Sequence, residues 1–169
     1  MASSETGNST MRILIADDNL VFQSVLREML TQWGYDVVVA SDGDEAWRFL
    51  QADDPPRLAI LDWMMPGLDG VEVCRRVRAS KPNTETYILI LTSKMQREDL
   101  AAAVEAGADD YVTKPLKSVE MRARLRTACR VLELEGRLLL ARRLHVGGPI
   151  LAADWPLDVR PDCAIGKTI

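Results

Sequence analysis

The sequence carries one histidine, His145, and only three cysteines, Cys74, Cys129 and Cys163. No two cysteines stand as Cys-x-x-Cys, and their odd number and wide separation indicate neither a zinc site nor a disulfide framework. A reducing cytoplasm fits that usage. Nothing around His145 has the pattern of a phosphotransfer helix bundle, so it reads as a polar residue near a helix end. No apolar run approaches the ~20 residues needed to cross a bilayer, and no membrane span is expected. The first ten residues, Met1 to Thr10, lack the basic and apolar blocks of a secretory signal and read as a flexible arm.

What is present is charge, unevenly placed. The net charge is −4, yet Met11 to Leu116 holds 18 acidic against 11 basic residues, and Ser118 to His145 holds seven arginines against three glutamates. An acidic body followed by a basic helix is unlike a domain that binds nucleic acid as a whole. The arginines read as a solvated helix face, and direct nucleic-acid contact is not expected.

With 169 residues, of which 47% are apolar and 27% charged, the chain can close a core without disulfide support. Two kinds of segment alternate along it. Short apolar or β-branched runs occur at Met11–Ala16, Asp36–Ala40, Leu58–Leu61, Tyr87–Thr92 and Tyr111–Thr113. Between them lie helix-length stretches with an apolar period near 3.6. In the first of these Phe22, Val25, Met29 and Trp33 are expected to line one face. Asp42 with Glu45, and Asp69 with Glu72, have the spacing of capping boxes. Strand and helix repeated five times imply an α/β fold, a doubly wound parallel sheet covered on both faces. Runs such as Ile13-Leu14-Ile15 and Ile88-Leu89-Ile90-Leu91 suit strands buried on both sides.

Folds of this kind bind ligands beyond the carboxyl ends of their strands. The residues there are Asp17 and Asp18 after the first strand, Asp62 after the third, Thr92 and Ser93 after the fourth, and Lys114-Pro115 after the fifth. Clustered carboxylates repel unless compensated. Mg²⁺ compensates them well, because it takes oxygen ligands and combines one or two carboxylates with phosphate oxygens. Lys114 adds a point charge and Thr92 a hydroxyl. Charge neutralisation, positioning and a carboxylate nucleophile are what phosphoryl transfer requires. Each residue alone has an ordinary reading as cap, turn or strand filler; their recurrence at four strand ends favours a site.

Together these segments resemble the receiver domain of bacterial two-component response regulators. The resemblance rests on Asp17-Asp18, on Leu61-Asp62-Trp63-Met64-Met65-Pro66-Gly67-Leu68-Asp69-Gly70, on Thr92-Ser93, and on Ala106 to Leu116 with its Lys114-Pro115. It covers about Met11 to Ala128. It implies a flavodoxin-like five-stranded parallel sheet in the order 2-1-3-4-5. It also implies that Asp62 accepts a phosphoryl group from a sensor histidine kinase or phosphotransfer protein. Asp18, Asp62 and the backbone carbonyl of Met64 would hold Mg²⁺, with Asp17 acting through metal-bound water. Lys114 would pair with the phosphoryl group, Thr92 would move toward its oxygens, and Tyr111 would swing inward behind Thr92. The bond between Lys114 and Pro115 is typically cis in that family. Ser93, slightly larger than the alanine or glycine common there, is the one departure. A haloacid-type phosphohydrolase would need Asp-x-Asp where this chain has Asp17-Asp18-Asn19.

The implied role is a signalling switch that turns over no external substrate and acts through an unknown downstream protein. The organisation expected is an arm over 1–10, the receiver over 11–128, a helix extension over 129–145 and an irregular tail over 146–169. In the last helix Val119, Leu125 and Ala128 are expected to pack on the sheet. Beyond them Val131, Leu134, Leu138 and Ala141 follow a three-four-three spacing, as in a two-stranded coiled coil. This half either dimerises or folds back on its own domain with the tail. It is similar to the connector joining receivers to diguanylate cyclase domains, which leaves the regulatory part of a truncated cyclase as the alternative reading.

Overall fold

The computed structural model describes residues 10–80, 86–93 and 97–145, with the backbone alone for 97–100 and 142–145. The arm and the tail therefore fall outside the described residues, apart from Thr10. The first half of the chain forms β1 (Arg12–Ala16), α1 (Leu20–Gln32), β2 (Asp36–Ala40), α2 (Gly43–Leu50) and β3 (Leu58–Asp62). The second half forms α3 (Gly70–Ser80), β4 (Tyr87–Thr92), α4 (Arg97–Glu105), β5 (Asp110–Thr113) and α5 (Ser118–His145). All four strand pairings are parallel, and the sheet order is β2-β1-β3-β4-β5. This is the doubly wound sheet implied by the sequence.

Successive strand residues face opposite sides, so one run supplies two cores. Ile13, Ile15, Leu58, Ile60, Leu89 and Leu91 pack against α1 and α5. Leu14, Ala16, Ala59, Leu61, Ile88 and Ile90 pack against α2, α3 and α4. Each fully buried Leu or Ile contributes roughly 1.5–3 kcal/mol by removal from water, which is why the central strands tolerate no polar residue before their ends. Cys74 belongs to the second core, where burial pushes its thiol up to about 11.

Helix starts follow the capping pattern. The Asn19 side chain accepts from the amides of Val21 and Phe22. The Asp42 carboxylate accepts from Glu45 N at 2.7 Å, while Glu45 accepts from Ser41 N at 2.8 Å. Asp69 accepts from Glu72 N, but the Glu72 carboxylate turns to Arg75 and Arg76 instead of reaching back.

Of the two expected helix faces, Phe22, Met29 and Trp33 of α1 pack against the first core and Leu125 and Ala128 of α5 are buried, while Val25 and Val119 are not. In α1 the buried residues are Gln23, Leu26 and Leu30, and Val25 is 61% exposed. In α5 Met121, Leu125, Ala128, Cys129 and Leu132 are buried, while Val119 is 80% exposed. At about 100° per residue, Val119 lies on the far side of the helix from Met121. The 28-residue α5 is about 42 Å long at ~1.5 Å per residue. Its docked part ends at Leu132, whose carbonyl accepts from Arg57 Nη2 at 3.3 Å. Leu134 and Leu138 beyond it are exposed.

Arg78 on α3 fastens the segment leading into β5. Its guanidinium donates to Gly107 O at 2.9 Å, Thr86 O at 3.0 Å and Asp109 Oδ2 at 2.7 Å, and the same Asp109 oxygen accepts from Ile88 N. Gly107 has φ +87°, and a Cβ there would stand 2.8 Å from Arg78 Cγ, so the turn needs glycine on both counts. Arg78→Ala is expected to cost about 2 kcal/mol, in the range for hydrogen bonds to charged groups. Urea denaturation measures this, and an unchanged midpoint would show that water replaces all three bonds.

Candidate functional site

The parallel sheet brings the expected strand-end residues to one edge. Asp17 follows β1, Asp62 ends β3, Thr92 ends β4 and Lys114 follows β5. Asp17 and Thr92 are fully buried, Asp62 is 7% exposed, and Asp18 is exposed. One carboxylate oxygen from each of Asp17, Asp18 and Asp62 lies within 4.8 Å of the others. Lys114 Nζ is 2.8 Å from Asp17 Oδ2 and 2.8 Å from Asp62 Oδ1, and it sits 4.4 Å from the centroid of the Phe22 ring. The Lys114-Pro115 bond is cis, and Lys114 N donates to Thr92 O at 2.8 Å.

The segment after Asp62 is held as closely. Trp63 N donates to Leu91 O at 2.8 Å, and Gly70 N returns to Trp63 O at 3.1 Å. A Cβ on Gly70 would meet Asp62 O at 2.2 Å, so only glycine lets α3 approach the end of β3 this way. Met64 lies in the loop so formed, with an exposed side chain. Tyr111 on β5 pairs in register with Ile90 and is half-buried against the second core. Ser93 is exposed.

Three residues of this arrangement escaped sequence reasoning in their site role. The sequence pattern marks Phe22 only as part of a helix face, yet it also lies beneath Lys114. The motif includes Gly70 but does not show that it is the point of backbone contact. Gln23 is a polar residue on the stripe of Leu26 and Leu30, and that interruption of an apolar face is its signal in the sequence.

Burial raises the Asp62 pKa above the ordinary carboxylate value, the hydrogen bond and charge of Lys114 pull it down, and Asp17 and Asp18 push it up again. Burial works against the charge of Lys114, but its hydrogen bonds and ion pairs with Asp17 and Asp62 hold its pKa above the ordinary lysine value. A carboxyl whose folded pKa is raised stabilises the fold fully below its unfolded pKa, and that contribution is lost as pH rises through the folded value. Ionised Asp62 therefore costs stability at neutral pH. Asp62→Asn is expected to unfold at higher urea concentration than the wild type at pH 7 in EDTA, with the gap closing toward pH 4. A variant less stable at pH 7 would show that the Lys114 pairing outweighs the burial.

Residues 13–126 match the family described as the response regulator receiver domain. The chain belongs to that family. This receiver is 37% identical over 151 residues to the alkaline phosphatase synthesis transcriptional regulatory protein PhoP of Bacillus subtilis, covering 89% of this chain and 61% of PhoP. It is 41% identical over 126 residues to the response regulator MprA of Mycobacterium ulcerans, covering 75% of this chain and 53% of MprA. The chain thus spans little more than half the length of these relatives. Among solved structures it is similar to the receiver domain of a sensor histidine kinase from Pseudomonas aeruginosa, with 30% identity and TM-score 0.63 over 73% of this chain and 98% of that one. That domain holds a magnesium ion coordinated in its active-site cleft. The diguanylate cyclase alternative gains no support from these relatives. PhoP is named a transcriptional regulator, so they do not support the expectation of no nucleic-acid contact either. Among the described residues no helix is long and apolar enough to cross a membrane.

Proposed function

We propose that this receiver is a phosphorylation-driven switch that accepts a phosphoryl group on Asp62 from a sensor histidine kinase or phosphotransfer protein. The observation that carries the reading is the nearly buried Asp62 carboxylate, ion-paired to Lys114 and grouped with Asp17 and Asp18. A carboxylate oxygen of Asp62 attacks phosphorus, the donor's bond to phosphorus breaks, and the leaving group takes up a proton from solvent. Lys114 follows the new negative charge from the carboxylate to a phosphoryl oxygen. The chain modifies only itself and turns over no external substrate.

The donor set fits Mg²⁺. All three carboxylates offer oxygen, and one ammonium leaves two negative charges uncompensated. Asp17 is already engaged, accepting from Asn19 N at 2.9 Å and from Lys114, which suits it to act through water. Asp18, Asp62 and the Met64 carbonyl are the residues that would hold the ion. When bound, Mg²⁺ neutralises charge on the transferring phosphoryl oxygens.

A phosphoryl group adds roughly −1.5 to −2 charge and strong acceptor oxygens. Those oxygens draw the Thr92 hydroxyl toward them, and Tyr111 moves inward behind it, changing the surface of α4 and β5 for a downstream protein. Val131, the first member of the expected stripe, packs against this chain's own core, and the part beyond Leu132, with Leu134, Leu138 and Ala141, is assigned to a second copy of the chain, since its two leucines are exposed. Sedimentation with and without beryllofluoride tests that pairing, and a monomer in both states would contradict it.

The test of function is intact mass after incubation with acetyl phosphate. The wild type should gain one phosphoryl group with Mg²⁺ and little with EDTA. No gain in either condition would sink the reading.

A further inference from the structure

We infer that Gln23 is a positioning residue for the acidic loop, fixing where Asp18 points by holding the peptide bond that precedes it. The inference rests on the proposed phosphoacceptor site and concerns how this chain builds it. Gln23 is 7% exposed, on the core stripe of α1 with Leu26 and Leu30. A buried carboxamide there is costly unless its donors are satisfied. Its Nε2 donates to the Asp17 carbonyl and lies 3.4 Å from the Ala40 carbonyl.

Both acceptors sit where the ladder between β1 and β2 runs out. The register ends at Ala16 opposite Ala40, and Asp17 N reaches Ala40 O only at 3.3 Å. Past Ala40 the chain turns into Ser41-Asp42 and α2, so β2 offers the Asp17 carbonyl no further amide. Gln23 takes the place of the missing strand residue. The oxygen it holds belongs to the peptide linking Asp17 to Asp18. Fixing that plane sets one of the two backbone directions from which the Asp18 side chain leaves. Asp17 has its own restraints in Asn19 N and Lys114, whereas Asp18 is exposed on the loop. Gln23 therefore acts on Asp18 most, and through it on the metal.

Gln23→Leu and Gln23→Met keep the volume and remove the amide. In the full chain without metal, exchange of the Asp17 and Asn19 amides, bonded to Ala40 O and the Asp17 carboxylate, should quicken roughly fivefold, the effect of losing one ordinary hydrogen bond, while β3 amides keep their protection. Calorimetric titration with MgCl2 should show a Kd weakened about tenfold, as when a group orienting a metal ligand is lost. Unchanged exchange and Kd in both variants would overturn the inference. So would faster exchange throughout the sheet, which would make Gln23 a core residue only. If the wild type itself bound no Mg²⁺, the functional reading would fail and the positioning role with it.

Discussion

Lys114→Met is expected to bind Mg²⁺ more tightly than the wild type and to accept phosphoryl groups roughly 100-fold more slowly, the usual effect of losing one preorganised charge-stabilising donor. Lys114 is the shared partner of Asp17 and Asp62, at 2.8 Å from each. Without it three carboxylates within 4.8 Å face one another with no nearby ammonium, and a divalent cation becomes the remaining way to compensate them. Breaking a fully buried pair on one side costs about 3–5 kcal/mol. Lys114 is 24% exposed, so solvent lowers the figure here to about 2 kcal/mol. The loss should appear in EDTA and shrink in Mg²⁺, because the ion replaces the charge. Urea denaturation in both buffers with calorimetry checks this. Equal Mg²⁺ affinity in variant and wild type would contradict the electrostatic account.

Gly70→Ala is expected to destabilise the protein by about 3 kcal/mol, the upper end for overpacking, and to abolish most phosphorylation. The added carbon would stand 2.2 Å from the Asp62 carbonyl oxygen and 3.3 Å from Leu61 Cβ. The obstacle is backbone, so no rotamer change relieves it. Either α3 moves away, breaking the bond from Gly70 N to Trp63 O, or the end of β3 shifts and takes Asp62 with it. Gly136→Ala is the control. It lies inside α5 with nothing within 4 Å of its Cβ position, and should stabilise by about 1 kcal/mol through helix propensity. Thermal denaturation of the two variants should move in opposite directions. Equal shifts would mean that the contact between α3 and β3 is looser than drawn.

The sheet and the residues at its edge were legible because two strong signals coincide. Continuous apolar runs such as Ile88 to Leu91 require burial on both faces, and a polar residue directly after such a run must stand where the strand leaves the core. That logic placed Asp17, Asp62 and Lys114 at one edge without any contact being known. Helix phase was less legible. Val25 or Leu26, and Val119 or Met121, fit an apolar face equally well until the neighbouring elements are in place, and the sheet chose Leu26 and Met121. The bridging of two carboxylates by Lys114 and the anchoring of the Asp17 carbonyl by Gln23 depend on where strands end relative to one another. That register is a property of pairing between distant segments, which no local pattern encodes.

The central claim is that Asp62 is the phosphoacceptor. Treating the wild type with acetyl phosphate and Mg²⁺, trapping the acyl phosphate by borohydride reduction and mapping the peptides by mass spectrometry tests it most directly. The account predicts modification confined to Asp62 and none in Asp62→Asn. Trapped product at another residue, or unchanged phosphorylation of Asp62→Asn, would contradict it.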